Sequence, residues 1–174
     1  MWGIILNSFW LILPAYCANF IPVFIRGKRP LDRKRNFIDG RRWFGDGKTF
    51  EGLIGGTLFG VLVGLIQVFL QQNYLSGFSL LTFQHTYLTI FVLSFGALLG
   101  DLAGSFFKRR FNLKRGDPAP LLDQLDFLIF SLAALSVFQA IPLYWILFLV
   151  IITPVIHKTA NVIGYTIKVK REPW

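Results

Sequence analysis

The chain has 174 residues, 54% of them hydrophobic and only 16% charged, with a net charge of +9. A soluble domain carries roughly 25% charged residues, so this composition excludes an ordinary soluble globular protein and indicates an integral membrane protein. The lone cysteine, Cys17, excludes an internal disulfide, and the first apolar run lacks the basic flank and small-residue cleavage site of a removable signal peptide.

Apolar runs near or above the roughly 18–20 residues that cross a bilayer predict an all-α, polytopic protein with five transmembrane helices in one domain. The expected spans are Ile4 to Ile25, Leu53 to Leu70, Tyr87 to Phe107, Leu122 to Ile141 and Leu143 to Ile167. Spans four and five should form a tight hairpin through Pro142, and Pro154 should kink the fifth. Nine Lys and Arg residues fall between Arg26 and Lys48, five between Lys108 and Arg115, and four after Pro154. The segment before Arg26, the loop from Gln71 to Thr86 and the turn at Pro142 have none. The positive-inside rule places the two basic loops and the carboxyl terminus in the cytoplasm and the amino terminus outside. Five spans satisfy this partition, whereas an even number leaves a basic segment outside. Cations so placed face anionic headgroups, and no nucleic-acid partner is expected.

Glycines recur every four residues at Gly52, Gly56, Gly60 and Gly64 in span two, and at Gly96, Gly100 and Gly104 in span three. Such ridges let membrane helices approach closely. Beside the second ridge lies Asp101. A charge at the centre of a membrane helix costs about 2.5–3.5 kcal/mol on the insertion scale, so intramembrane acids usually mark a site. Asp101, Ser105 and Lys108 share one helical face, and Asp123 and Asp126 share another at the start of span four. Antiparallel packing of spans three and four brings the three acids to one cytoplasmic-side depth. Carboxylates there suit a hard cation, above all Mg²⁺ held together with phosphates. Interleaved Lys108, Arg109, Arg110, Lys114 and Arg115 complete what a nucleoside triphosphate requires.

In the long basic loop, Gly47-Lys48-Thr49 resembles the end of a P-loop. The full pattern is broken by Arg42 where glycine is needed. Glycines beside Lys48 can still offer backbone N–H groups to phosphate. Asn19 is a polar residue in an apolar run, open to a site role or to helix packing. Lys158 is open to snorkelling or to a lipid phosphate. His85 and His157 have no metal-ligand spacing.

The run Ser105-Phe106-Phe107-Lys108-Arg109, followed by Lys114, Asp117, Asp123 and Asp126, resembles the signature of integral-membrane CTP:phosphatidate cytidylyltransferases. Asn19-Phe20-Ile21-Pro22, Pro30-Leu31-Asp32, Asp39-Gly40-Arg41 and Gly47-Lys48-Thr49 extend the likeness over nearly the whole chain, closest to the archaeal branch, the CDP-archaeol synthases. The chain departs from the bacterial pattern: Arg115-Gly116 separate Lys114 from Asp117, Pro120-Leu121-Leu122 replaces His-Gly-Gly, and the last acids read Asp123-Gln124-Leu125-Asp126.

The resemblance implies Mg²⁺-dependent transfer of CMP from CTP to the phosphate of 2,3-di-O-geranylgeranylglyceryl phosphate, releasing pyrophosphate at the cytoplasmic face of the cell membrane. It implies catalytic roles for Asp101, Lys108, Asp123 and Asp126, with the three aspartates on the metal. CTP contacts are implied for Asn19, Asp39, Gly40, Gly47, Lys48, Thr49, Ser105, Lys108, Arg109, Lys114 and Asp117. A CDP-alcohol phosphotransferase is disfavoured, because Trp43-Phe44 stands where its motif needs Ala-Arg. A transporter or channel is disfavoured because the charges gather at one face rather than the midplane.

Overall fold

A computed structural model of the chain describes residues 1–113 and 117–168. Six helices follow in order: α1 (Trp2–Phe20), α2 (Pro22–Ile25), α3 (Phe50–Asn73), α4 (Tyr87–Arg110), α5 (Leu122–Ser136) and α6 (Leu143–Thr166). Two isolated β-bridges, Pro30 with Thr49 and Asn36 with Arg42, are the extended pairing among the described residues. Among the described residues, four segments are long and apolar enough to cross a membrane: Trp2–Ile25, Phe50–Asn73, Tyr87–Arg110 and Leu143–Thr166.

The expected fourth span is shorter than its apolar run. α5 has 15 residues, about 22 Å of helix, against a hydrocarbon core of about 30 Å. The chain leaves the helix at Val137, and Phe138 and Gln139 both donate to the Leu135 carbonyl. Pro142 disfavours the helical region at Ile141, so the helix does not resume before Leu143. The first span also breaks, because Pro22 opens α2 as a separate short helix. By contrast, α6 continues as one helix through Pro154.

The glycine ridges face partner helices. A Cβ at Gly56 would meet the Ala18 carbonyl at 2.8 Å, and one at Gly60 would meet the Pro14 carbonyl at 2.6 Å. α3 therefore runs antiparallel to α1 at backbone contact distance. On α4, a Cβ at Gly96 would press on Ser131, one at Gly100 on Asp126 and Phe127, and one at Gly104 on the Asp126 carboxylate. That register, falling on α5 while rising on α4, makes the two helices antiparallel. Around α1 lies a core of Leu11, Ile12, Leu93, Leu128, Leu135 and Leu149, each fully buried.

Two polar clusters tie the loops to this core. In the loop between α3 and α4, His85 is buried, with Nε2 2.9 Å from the Trp10 carbonyl and Nδ1 3.3 Å from Thr89 Oγ1. Burial pushes its pKa down to about 4, which keeps the imidazole neutral at physiological pH.

In the long basic loop, the Asp32 side chain is wholly buried. It accepts from Arg42 Nε at 2.9 Å and Nη2 at 2.6 Å. It also accepts from the backbone N–H groups of Gly45, Phe44 and Lys34 at 2.9, 3.2 and 3.1 Å. Burial alone would raise the Asp32 pKa. The Arg42 guanidinium and the three N–H donors outweigh it and hold the carboxyl well below the usual carboxylate range.

This clamp folds residues 32–45 into one unit. Phe37 packs edge-on against Trp43 and Phe106, which meet each other at a tilt, and the Arg110 guanidinium lies over Phe37 and Phe106 at 4.9 and 4.5 Å. Arg42→Ala leaves a buried, uncompensated carboxylate, a loss of about 3–5 kcal/mol where a buried pair is broken. Amide exchange should show residues 32–45 losing protection while α1, α3 and α4 keep theirs. Because the Asp32 pKa is depressed on folding, its stabilisation is complete above the unfolded value near ~3.9. Wild-type loop protection should therefore hold from pH 8 to pH 5 and decay only below about pH 4.

Candidate active site

Three elements meet at one end of α4. Asp101, Ser105 and Lys108 lie on its last turns, Asp123 and Asp126 on the first turns of α5, and Lys48 immediately before α3. Lys48 Nζ lies 2.5 Å from Asp101 Oδ2. Lys108 Nζ lies 2.8 and 3.1 Å from the two oxygens of Asp123. Both pairs are partly shielded, their side chains retaining between 14% and 33% exposure. Ser105 is buried beside them.

Asp126 differs from the other two acids. It is 8% exposed and seated on the glycine surface of α4 at Gly100 and Gly104. Its carboxylate accepts from its neighbour's backbone, Phe127 N, at 2.6 Å. The charges of Asp101, Lys48 and Asp123 all act on it. The expected convergence of the three carboxylates is therefore electrostatic, with two of them engaged by lysines. Among the described residues, no three His, Cys, Asp or Glu side chains stand close enough together to share a metal ion. In chemistry alone, though not in their present spacing, these oxygen donors are of the kind a hard cation takes. The set consists of carboxylates alone, and the most buried of them accepts no side-chain donor.

Other residues singled out from the sequence support this centre. Thr49 is the N-cap of α3, its hydroxyl accepting from Gly52 N at 3.1 Å. Gly47 lies in the turn closed by Lys48 N donating to the Gly45 carbonyl at 3.2 Å. That turn and the α3 cap fix the backbone on both sides of Lys48. Gly40 adopts φ +76°, in the left-handed region that glycine tolerates. Beside it, the Asp39 carboxylate accepts from Arg41 N at 3.1 Å. Asp39 Oδ2 also lies 2.9 Å from Arg110 Nε, an ion pair without hydrogen-bond alignment. Arg109 donates to the Phe44 carbonyl at 3.3 Å and to the Leu113 carbonyl at 2.5 Å. Arg41 donates to the Arg109 and Arg110 carbonyls. The nine-cation loop and the end of α4 are thus stitched together.

Asp117 lies in the connection leading to α5, and Lys114 falls outside the described residues. Asn19 is not part of the lysine–carboxylate centre; it lines a cavity between α1, α2 and α6. The Asp32–Arg42 clamp was not among the residues expected to build the site. Its sequence signal is faint: an acid and an arginine ten apart in a loop, with no periodicity to join them.

The family model described as CarS-like, CDP-archaeol synthase, matches residues 1–174. A CDP-archaeol synthase of Thermococcus onnurineus is 47% identical over 170 residues, covering 98% of this chain and 97% of that protein. One from Pyrobaculum aerophilum is 45% identical over 169 residues, covering 95% of this chain and 96% of that protein. A solved structure of an intramembrane enzyme for archaeal membrane lipid biosynthesis superposes with a TM-score of 0.77 at 38% identity, covering 90% of this chain and 94% of that one. Full-length agreement in sequence and in helical architecture establishes that this chain belongs to the CDP-archaeol synthase family.

Proposed function

We propose that this chain transfers CMP from CTP to the phosphate of 2,3-di-O-geranylgeranylglyceryl phosphate, giving CDP-archaeol and pyrophosphate, and that Mg²⁺ is its cofactor. Family membership makes it a CTP-dependent nucleotidyltransferase of membrane-lipid biosynthesis. The observation carrying the site assignment is the pairing of Lys48 with Asp101 and Lys108 with Asp123 around the buried Asp126.

In the reaction, a lipid phosphate oxygen attacks the α-phosphorus of CTP and its lone pair forms the new P–O bond. The bond from that phosphorus to the oxygen bridging the β-phosphate breaks, and its electrons leave with pyrophosphate. The attacking oxygen is already anionic, so no side chain has to remove a proton. Lys48 and Lys108 turn from their carboxylates to the triphosphate, holding it in line and stabilising charge on the departing pyrophosphate. Once their lysines turned away, Asp101, Asp123 and Asp126 would be the residues to hold Mg²⁺, which would supply neutralisation of the triphosphate charge. Gly40, Gly47 and Ser105 line the nucleotide. Asp39, Thr49 and Arg109 act by fixing the loop and helix ends around it, and Lys114 and Asp117 are the remaining CTP contacts in this proposal.

Asn keeps the shape of Asp and removes its charge. The folded Asp123→Asn/Asp126→Asn double variant should therefore lose labelled-CMP transfer into lipid and keep its thermal unfolding temperature. If the acids served only to begin α5, Asn would serve about as well at that helix start. Near-normal transfer by that variant at unaltered Mg²⁺ would remove the metal reading.

The same proposal includes five crossings, with the amino terminus outside and the site at the cytoplasmic face. Its support is the partition of all 18 Lys and Arg residues onto alternate connections. α5 completes the fourth crossing together with the non-helical 137–142 segment. In a Cys17→Ala background, a cysteine at Ser76 should be labelled by an impermeant reagent added outside intact cells, and one at Asn112 spared. The opposite pattern would invert the topology.

A further inference from the structure

We infer that the groove between α1, α2 and α6 seats one isoprenoid chain of the lipid substrate, with Asn19 holding the polar end of that lipid. The inference rests on the cytidylyltransferase reading above and adds where the lipid lies. The groove encloses about 420 Å³, within the range of roughly 300–1,000 Å³ typical of small-ligand sites. Its walls are predominantly apolar, and its mouth is formed by Phe20, Val23, Phe24, Ile163 and Ile167, all exposed. In a bilayer these residues face lipid, so a chain enters sideways without crossing water.

The groove adjoins the candidate active site through Phe127. Phe127 forms one wall, its ring 5.6 Å from Tyr16 and 6.5 Å from His157. The backbone N–H of the same residue donates to the Asp126 carboxylate. A lipid whose tail lies against the Phe127 ring therefore has its head one residue from the acid cluster.

The few polar side chains in the groove are informative. Tyr16 and Thr153 bond to each other at 2.7 Å, and Asn161 Nδ2 lies 3.2 Å from His157 Nδ1. Asn19 lines the same space and its amide makes no hydrogen bond among the described residues. Asn19 is half-buried, so its amide is accessible from the groove. A glycerol ether or phosphate oxygen of the lipid would supply the acceptor. This position assigns Asn19 to the lipid rather than to CTP. Because bilayer tails are as apolar as the groove, a chain gains no hydrophobic energy on entry. Recognition is then by shape, with branched chains fitting between the rings and the backbone face at Ala160 and Gly164 of α6.

Cys17 lines the groove and is the only cysteine in the chain, so the wild-type protein carries its own reporter. Saturating 2,3-di-O-geranylgeranylglyceryl phosphate should slow alkylation of Cys17 by N-ethylmaleimide at least tenfold in detergent micelles. CTP alone, or the same mole fraction of an ordinary diacyl phosphatidylcholine, should leave the rate unchanged. As a second measurement, Ala160→Phe should raise the KM for the geranylgeranylated substrate at least fivefold while leaving CTP affinity unchanged. Turnover of a short-chain glyceryl phosphate should be retained. An unaltered Cys17 rate in a sample that converts the lipid, equal protection by phosphatidylcholine, or an unaltered KM in the CTP-binding variant would each overturn the inference. Absence of any CMP transfer by the wild type would instead overturn the enzymatic reading, and Cys17 protection would then be judged on its own.

Discussion

Four charges at the end of α4 are withdrawn from water as two ion pairs, Lys48 with Asp101 and Lys108 with Asp123. Partly buried pairs of this kind gain little net stability, because desolvation offsets much of their attraction. That near-balance suits a site that has to open. In the proposed reaction a triphosphate would offer each lysine a stronger anionic partner, and a divalent cation would offer the carboxylates a stronger cationic one, so the exchange would cost little. Removing one partner without a replacement is expensive, which keeps the resting protein free of bare charges inside the membrane boundary.

Everything around those pairs serves to hold their backbones. The Gly100–Gly104 surface lets α5 lie against α4 so closely that Asp126 packs on backbone rather than on side chains. Lys48 is held from two sides: Thr49 caps α3, and the Lys48 carbonyl accepts from Leu31 N at 2.8 Å. The loop carrying it is kept in one conformation by the buried Asp32 and its donors from Arg42, Gly45, Phe44 and Lys34. A flexible nine-cation loop would scatter its charges over the membrane surface. The clamp gives Lys48 a fixed address.

Much of this was legible in the amino-acid sequence. Apolar runs identified the helices, the four-residue glycine spacing identified the faces that approach closely, and the spacing of Asp101, Ser105 and Lys108 identified the polar face of α4. Other features were not legible, for physical reasons. The Asp32–Arg42 clamp joins loop residues whose proximity depends on tertiary folding. Thr49 stands beside Lys48 in a run resembling a phosphate loop. Its capping role follows equally from being a threonine just before an apolar helix, and only the hydrogen bond to Gly52 N decides between them. The apolar run after Asp126 extends to Ile141 whereas the helix stops at Ser136, an end that hydropathy does not register. Asn19 reads as a lone polar residue in a span, and its neighbours across the groove lie more than 130 positions away on α6.

The central claim is that the lysines of the two ion pairs are the groups that turn to the triphosphate. Calorimetric titration of CTP with Mg²⁺ into detergent-solubilised protein, wild type against a Lys48→Met/Lys108→Met double variant, tests it most directly. Each charge-assisted bond contributes about 1.5–3 kcal/mol, so losing both should weaken CTP binding by roughly 10²-fold or more, with the loop clamp still protected from amide exchange. Wild-type CTP affinity in a folded double variant would contradict the account.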